Sequence, residues 1–233
     1  MNQTAIIMVS PQMGENIGAA ARVMKNFGLL DLRIVNPRDG WPNQKAESVA
    51  VGAIDLLKNA SLYNSLAEAV SDIQYLYATT ALPRDMNKPY IKSKELPQDY
   101  PGSGKVGIIF GRESSGLCND EIAIANKIIN IDTSGFSSLN IAQSIAIICY
   151  ELAKCVNKFE LENSKDIATK QEITFFLNHL EYELDANKFF RVADKKRRML
   201  RNITNIFTRI DNISTTEIQI LRGIISSFKK NND

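Results

Sequence analysis

Three short segments carry residue types and spacings that could do chemistry. Asn16-Ile17-Gly18-Ala19-Ala20-Ala21-Arg22 combines an amide, a run of small residues and an arginine. Gly111-Arg112-Glu113-Ser114-Ser115-Gly116-Leu117 sets two opposite charges between glycines, and Ser137-Ser138-Leu139-Asn140 joins two hydroxyls to an amide. Small residues let backbone and substrate approach where bulky ones would not, and a glycine at a strand end lets a flat ligand lie against the backbone. Arg22 can hold an oxygen or a phosphate, its alternative being an ordinary exposed helix arginine. Glu113 can orient an arginine or partner Arg112. Asn16 also suits a helix N-cap, and both roles can hold. The only histidine, His179, lies outside all three segments, so no imidazole base is at hand.

The elements around these segments read as alternating strands and helices. Thr4 to Ser10 is a short apolar, β-branched run ended by Pro11, and Leu32 to Val35, Tyr75 to Thr79, Val106 to Phe110 and Ile128 to Ile131 have the same character. Between them, Ile17, Ala20, Ala21, Met24 and Phe27 recur at helical spacing before the stop at Gly28. Further helices are expected near Ala46 to Leu57, around Leu66 to Val70, from Asp120, and from about Asn140 to Val156, with a loop from Pro83 to Pro101. Strands that are apolar throughout and alternate with helices predict an α/β fold, a parallel sheet with helices on both faces. Ligands bind beyond the carboxyl ends of such strands. Asn16, Thr79, Gly111 and Ser137 each follow a predicted strand within a few residues. By contrast Gly102-Ser103-Gly104-Lys105-Val106-Gly107, which fits the letter of a dinucleotide fingerprint, precedes a strand and opens no helix, so it reads as a flexible turn.

At 233 residues the chain suits one domain plus an appendage. We divide it into a domain at 1–158, a polar linker at 159–170 and a small helical extension at 171–233. The extension carries an amphipathic segment through Ile173, Phe176, Leu177, Leu180 and Leu184, then helices around Asp194 to Arg209 and Thr216 to Lys229. Net charge is only +2, but from Lys188 to Lys230 eleven basic residues face three acids, including the cluster Lys195-Lys196-Arg197-Arg198. That is the electrostatic footprint of a protein that meets a phosphate backbone, its alternative being a solvated helix face. Cys118, Cys149 and Cys155 are odd in number and show no metal-ligand spacing with His179, so free buried thiols are expected and no metal. The absence of a long apolar span or a signal-like start leads us to expect a soluble, cytoplasmic protein with no membrane partner.

Taken together and in this order, the three segments resemble the three motifs of the SpoU/TrmH-type RNA ribose methyltransferases of the SPOUT class. The resemblance covers most of residues 1–158, and Ile206-Phe207-Thr208-Arg209 with Ile220-Leu221-Arg222-Gly223-Ile224 is similar to the tail of the family's TrmJ branch. It implies the deep trefoil knot of that class, threaded near Gly111 to Asn140, and a homodimer with its site near the subunit interface. The helix face Ile145, Ile148, Cys149, Leu152 and Val156 suits either that interface or the core. It further implies S-adenosylmethionine as methyl donor, wrapped by Thr79, Thr80, Ala81, Gly111, Ile131, Ser138, Leu139 and Asn140, with Arg22, Asn16, Glu113 and Ser138 as the catalytic group. Taken alone, Ile131 would be assigned to the core. The family proposal makes the arginine a general base, yet a guanidinium stays protonated in proteins, so Arg22 is assigned to the target 2′-oxygen and its phosphate. The implied activity is 2′-O-methylation of tRNA cytidine or uridine at the first nucleotide of the anticodon loop. Alternatives are another tRNA or rRNA site, or a catalytically silent RNA-binding relative.

Overall fold

Short apolar runs form the strands and the amphipathic segments between them form the helices, within a computed structural model that describes residues 4–81, 84, 86–136, 138–155 and 166–229. The first part runs β1 (Thr4–Val9), α1 (Gly14–Asn26), β2 (Asp31–Val35), α2 (Gln44–Val49), α3 (Ile54–Lys58), β3 (Ser61–Tyr63), α4 (Leu66–Ala69) and β4 (Tyr75–Thr79). It continues through β5 (Tyr90–Lys92), α5 (Leu96–Asp99), β6 (Val106–Phe110), α6 (Asn119–Ala123), β7 (Lys127–Asn130) and α7 (Ile141–Ala153). The seven strands form one sheet in the order β3-β2-β1-β6-β4-β7-β5. Every pairing is parallel.

Because side chains alternate along a strand, β1 feeds both faces: Ile6 and Met8 join the core layer under α1 and α7, while Ala5, Ile7 and Val9 join the opposite layer with Ala69 and Ile122. Covering both faces is what allows strands without polar alternation. The expected helix from Ala46 to Leu57 is two short helices, α2 and α3, because the chain turns at Gly52 with a φ of 79°. The expected loop at Pro83 to Pro101 instead carries β5 and α5. No helix among the described residues is long and apolar enough to cross a membrane.

The remaining helices are α8 (Lys170–Ala186), α9 (Ala193–Thr208) and α10 (Thr215–Lys229). Thr169 and Glu172 cap α8 reciprocally, the Glu172 amide donating to Thr169 Oγ1 and the Thr169 amide donating to Glu172 Oε2. Ile173, Phe176, Ile213 and Ile218 close a small core of their own. Of the expected linker, residues 159–165 lie outside the described residues. Residues 166–170 are packed, with Ile167 bridged to Ser214 and Ala168 buried.

These helices dock on the sheet domain. The backbone amides of Lys170 and Gln171 donate to Ile73 O and Ser71 O at 2.8 and 3.2 Å, just before β4. Arg197 and Arg201 pair with Asp120 of α6 at 2.5 and 2.6 Å, while Thr208 Oγ1, at the other end of α9, donates to Ala123 O. The basic start of α9 therefore lies beside the start of α6.

Candidate active site

The loops that leave the carboxyl ends of β4, β6 and β7 enclose a cleft of about 280 Å³. Phe110, Ile129, Ile131, Leu139 and Ile141 give it apolar walls, and the remaining lining comes from Thr79-Thr80-Ala81, the loop 111–117 and Ser138. Thr79 Oγ1 donates to Ile109 O at 2.9 Å, so its hydroxyl fixes β4 to β6. Asn130 Nδ2 donates to Thr80 O at 3.0 Å and so holds the β4 loop against β7. Arg84 also lines the cleft and donates through Nη2 to Leu117 O at 3.0 Å. Neither Asn130 nor Arg84 was singled out from the sequence, because each acts on a backbone carbonyl that is remote along the chain.

The loop 111–117 folds back on itself: the Gly116 amide donates to Arg112 O at 2.8 Å and the Arg112 amide to Gly116 O at 3.3 Å. A β-carbon placed on Gly111 would lie 2.2 Å from Gly116 C and 2.3 Å from Leu117 N. Glycine is needed here for the chain's own closure, and Gly111 also lines the cleft. Close packing also requires glycine at Gly18, where an added β-carbon would meet Ala46 O at 2.2 Å. Ala20 and Ala21 are fully buried. Gly18, Ala20 and Ala21 thus admit α2 and the core, while Ala19 is half-buried.

The charged pair in the β6 loop does not pair internally. Arg112 donates from Nη1 and Nη2 to Glu121 Oε2 and Oε1 at 3.0 and 2.9 Å, a two-point bond. Burial alone would raise the Glu121 carboxyl, yet the hydrogen bonds from Arg112 and the Cys118 amide hold it below its usual range. Glu113 turns instead to α1. It accepts from the amides of Gln12 and Met13 at 2.8 and 3.4 Å and from Asn16 Nδ2 at 2.9 Å. Met13, the residue that caps α1, makes no side-chain cap, so the Glu113 carboxylate supplies negative charge at the positive end of that helix.

Asn16 is thus not the N-cap that its sequence position suggested; it sits within the first turn of α1, 7% exposed. Its Oδ1 accepts from Asn140 Nδ2 at 2.9 Å, and Asn140 Oδ1 accepts from the Ala142 amide at 2.8 Å to cap α7. One hydrogen-bonded chain, Glu113 to Asn16 to Asn140, therefore ties all three segments together. Asn140 contributes to the site through this chain and does not line the cleft. Arg22 lies on the exposed side of α1, outside the cleft, and makes no hydrogen bond or ion pair among the described residues. Ser138 is exposed at the cleft; Ser137 lies outside the described residues.

Cys149 and Cys155 are buried, and burial pushes the Cys149 thiol up to about 12. Cys118 is exposed beside the β6 loop, contrary to the expectation of three buried thiols. Among the described residues no cluster of His, Cys, Asp and Glu could hold a metal ion.

A doubly covered parallel sheet with its cleft among strand-end loops defines an α/β ligand-binding domain. The chain belongs to the SpoU methylase family: the SpoU rRNA Methylase family matches residues 3–150. Residues 171–233 match the C-terminal domain of the tRNA methyltransferase TrmJ. The chain is 32% identical to tRNA (cytidine-2′-O-)-methyltransferase TrmJ of Methanocaldococcus jannaschii, over 97% of this chain and 98% of that protein. It is 29% identical to tRNA (cytidine/uridine/adenosine-2′-O-)-methyltransferase TrmJ of Pseudomonas aeruginosa, over 99% and 95%. The crystal structure of TrmJ from Z. mobilis ZM4 superposes with a TM-score of 0.89 at 39% identity, over 97% of this chain and 99% of that one.

Proposed function

We propose that this protein transfers a methyl group from S-adenosylmethionine to a ribose 2′-hydroxyl of tRNA, at cytidine or uridine at the first nucleotide of the anticodon loop. The observation that carries the reading is the convergence of the three segments on one cleft, locked by the Glu113–Asn16–Asn140 chain. The cleft suits the donor: apolar walls at Ile129, Ile131 and Leu139 match a flat base, and the loops 79–81 and 111–117 offer backbone groups for its polar edges. When bound, S-adenosylmethionine supplies a methyl group on a positively charged sulfur.

The protein's part is alignment, which is worth on the order of 7–11 kcal/mol in favourable systems. Thr79, Thr80, Ala81, Gly111, Ser138 and Leu139 shape the donor side. Arg22 holds the 2′-oxygen and the adjacent phosphate through its planar fork of N–H donors. Glu113 and Asn16 position α1, on which Arg22 stands. That Arg22 lies outside the cleft of its own chain supports a homodimer whose site is completed near the subunit interface. Exposed Leu30 and Tyr150 support the same reading, Tyr150 packing edge-on against Phe27. Further parts of the proposal are a trefoil knot between Gly111 and Asn140, division into a catalytic domain at 1–158, a linker at 159–170 and a basic helical extension at 171–233, and a cytoplasmic location.

The test is transfer of labelled methyl to tRNA transcripts, with the modified ribose mapped. Arg22→Ala is expected to lower turnover about 10²–10⁴-fold and to leave donor affinity within about twofold. Activity within about threefold of the parent removes Arg22 from the role given to it.

A further inference from the structure

The corner between α8 and α9 has no part in the chemistry above, yet it holds a cavity of its own. Its cavity of about 520 Å³ falls in the size range of small-ligand pockets, and its lining includes Lys188, Phe189, Phe190, Arg191, Lys195 and Met199. Phe189 is 50% exposed and Met199 37%, so apolar surface faces solvent inside the cavity. Phe190 meets Phe189 edge-on, with ring centroids 5.3 Å apart, and has Lys196 Nζ 5.4 Å from its own ring centroid. The ring left open is that of Phe189.

That ring is not on a loose segment. Lys188 adopts a left-handed φ of 55°, and the Phe189 amide donates to Leu184 O at 2.9 Å while the Lys188 amide donates to Asp185 O at 3.0 Å. This pattern closes a helix end and fixes the residue that follows it. A left-handed site favours glycine or asparagine, but here it carries a lysine at the edge of the cavity. The cations differ from their neighbours in one further respect. Lys196 is neutralised by Glu181 and Asp185, and Arg197 by Asp120, whereas Lys188, Arg191 and Lys195 make no ion pair among the described residues.

An open aromatic face ringed by three uncompensated cations matches a planar ring that carries an anion. We infer that this corner binds a single unpaired nucleotide of an RNA strand, its base stacked on Phe189 and its phosphate among Lys188, Arg191 and Lys195. The inference rests on the RNA-methylating reading above and extends it to a second contact, which shares no lining residue with the methyl-transfer cleft. The ion pairs from Arg197 and Arg201 to Asp120 hold α9 beside α6, three residues beyond Leu117 of the cleft wall, so a strand can run from the corner toward the cleft.

The experiment uses the full chain and a short fluorescein-labelled oligouridylate, with affinity read by anisotropy at several salt concentrations. Phe189→Ala is expected to weaken binding roughly 5- to 100-fold at unchanged salt slope, and Phe189→Trp to retain it, since stacking needs an aromatic face. Changing Lys188, Arg191 and Lys195 together to Ser is expected to flatten the log–log salt slope by about 2. An affinity that ignores Phe189→Ala, or a parent that binds no oligouridylate, overturns the inference. So does a change of oligomeric state in Phe189→Ala at unchanged oligonucleotide affinity, which would make the corner a subunit contact. The methyl-transfer assay separates the two proposals: a parent that binds the oligonucleotide through Phe189 but methylates no tRNA upholds the corner and refutes the enzymatic reading.

Discussion

A carboxylate that receives two backbone amides and a side-chain amide from one short stretch is hard to replace by a neutral group. Glutamine at position 113 would present one oxygen and one NH₂ to donors at Gln12, Met13 and Asn16, so at least one donor would face another donor. We expect Glu113→Gln to lower stability by about 1.5–3 kcal/mol in urea denaturation, the range for hydrogen bonds to a charged acceptor. An unchanged midpoint would mean that water satisfies the start of α1 equally well. The roles of single residues were the least legible part of the sequence. Asn16 stands where a cap belongs by local pattern, but its partners are 97 and 124 residues away. Arg112 and Glu113 look like a pair because they are adjacent, yet neighbouring side chains diverge, and each finds its partner elsewhere. Which residues gather at the cleft was readable, because strand ends locate loops; what each side chain touches was not.

Loop 111–117 shows how an element makes a site without offering a reactive side chain. Its two mutual hydrogen bonds and the bare α-carbon of Gly111 let backbone form one wall of the cleft. Gly111→Ala drives a β-carbon into the backbone of Gly116 and Leu117, which cannot rotate away as a flexible side chain would. Donor affinity should fall at least about tenfold, with a loss of stability of about 1–3 kcal/mol, the usual range for forced overpacking. Calorimetry and thermal melting read both, and a variant that binds the donor like the parent would place the donor elsewhere. The long apolar strands and α1, α7 and α8 were evident from periodicity. Strands β3 and β5 were not, since each has three residues, largely exposed, and lies at a sheet edge where apolar patterning is weak. Gly52 divided what composition presented as one helix.

On the scale of the whole molecule, two lysines seal the joint between the sheet domain and the C-terminal helices. Lys170 Nζ donates to Asn126 Oδ1, and Lys88 Nζ donates to the carbonyls of Ala123 and Ala125 and to Thr208 Oγ1. Burial pushes both down to about 7, and for Lys88 the neighbouring cations Lys170 and Arg209 act in the same direction. Between about pH 7 and the ordinary lysine range the unfolded chain holds protons that the folded chain lacks, so stability rises with pH across that window. Below it both states are charged and the full cost of burial remains. The expected slope approaches about 1.4 kcal/mol per pH unit for each lysine. In urea titrations from pH 7 to 9, Lys170→Met should remove about half of this slope and be more stable than the parent at pH 6; parallel curves would show that Lys170 stays charged in the fold. The basic character of the helical extension was legible from composition, whereas the commitment of Lys196, Arg197 and Arg201 to ion pairs required the docked geometry. The strand order has a consequence for synthesis. Strand β6 lies between β1 and β4, and β7 lies between β4 and β5, so the last two strands to leave the ribosome enter slots whose walls were made earlier. On this side the sheet cannot grow outward from a finished edge; until residue 110 has emerged β1 and β4 have no link, and until residue 130 has emerged β5 has no neighbour. The nascent chain must therefore carry two open gaps, and its exposure to wrong pairing is greatest just before the strands that cure it appear.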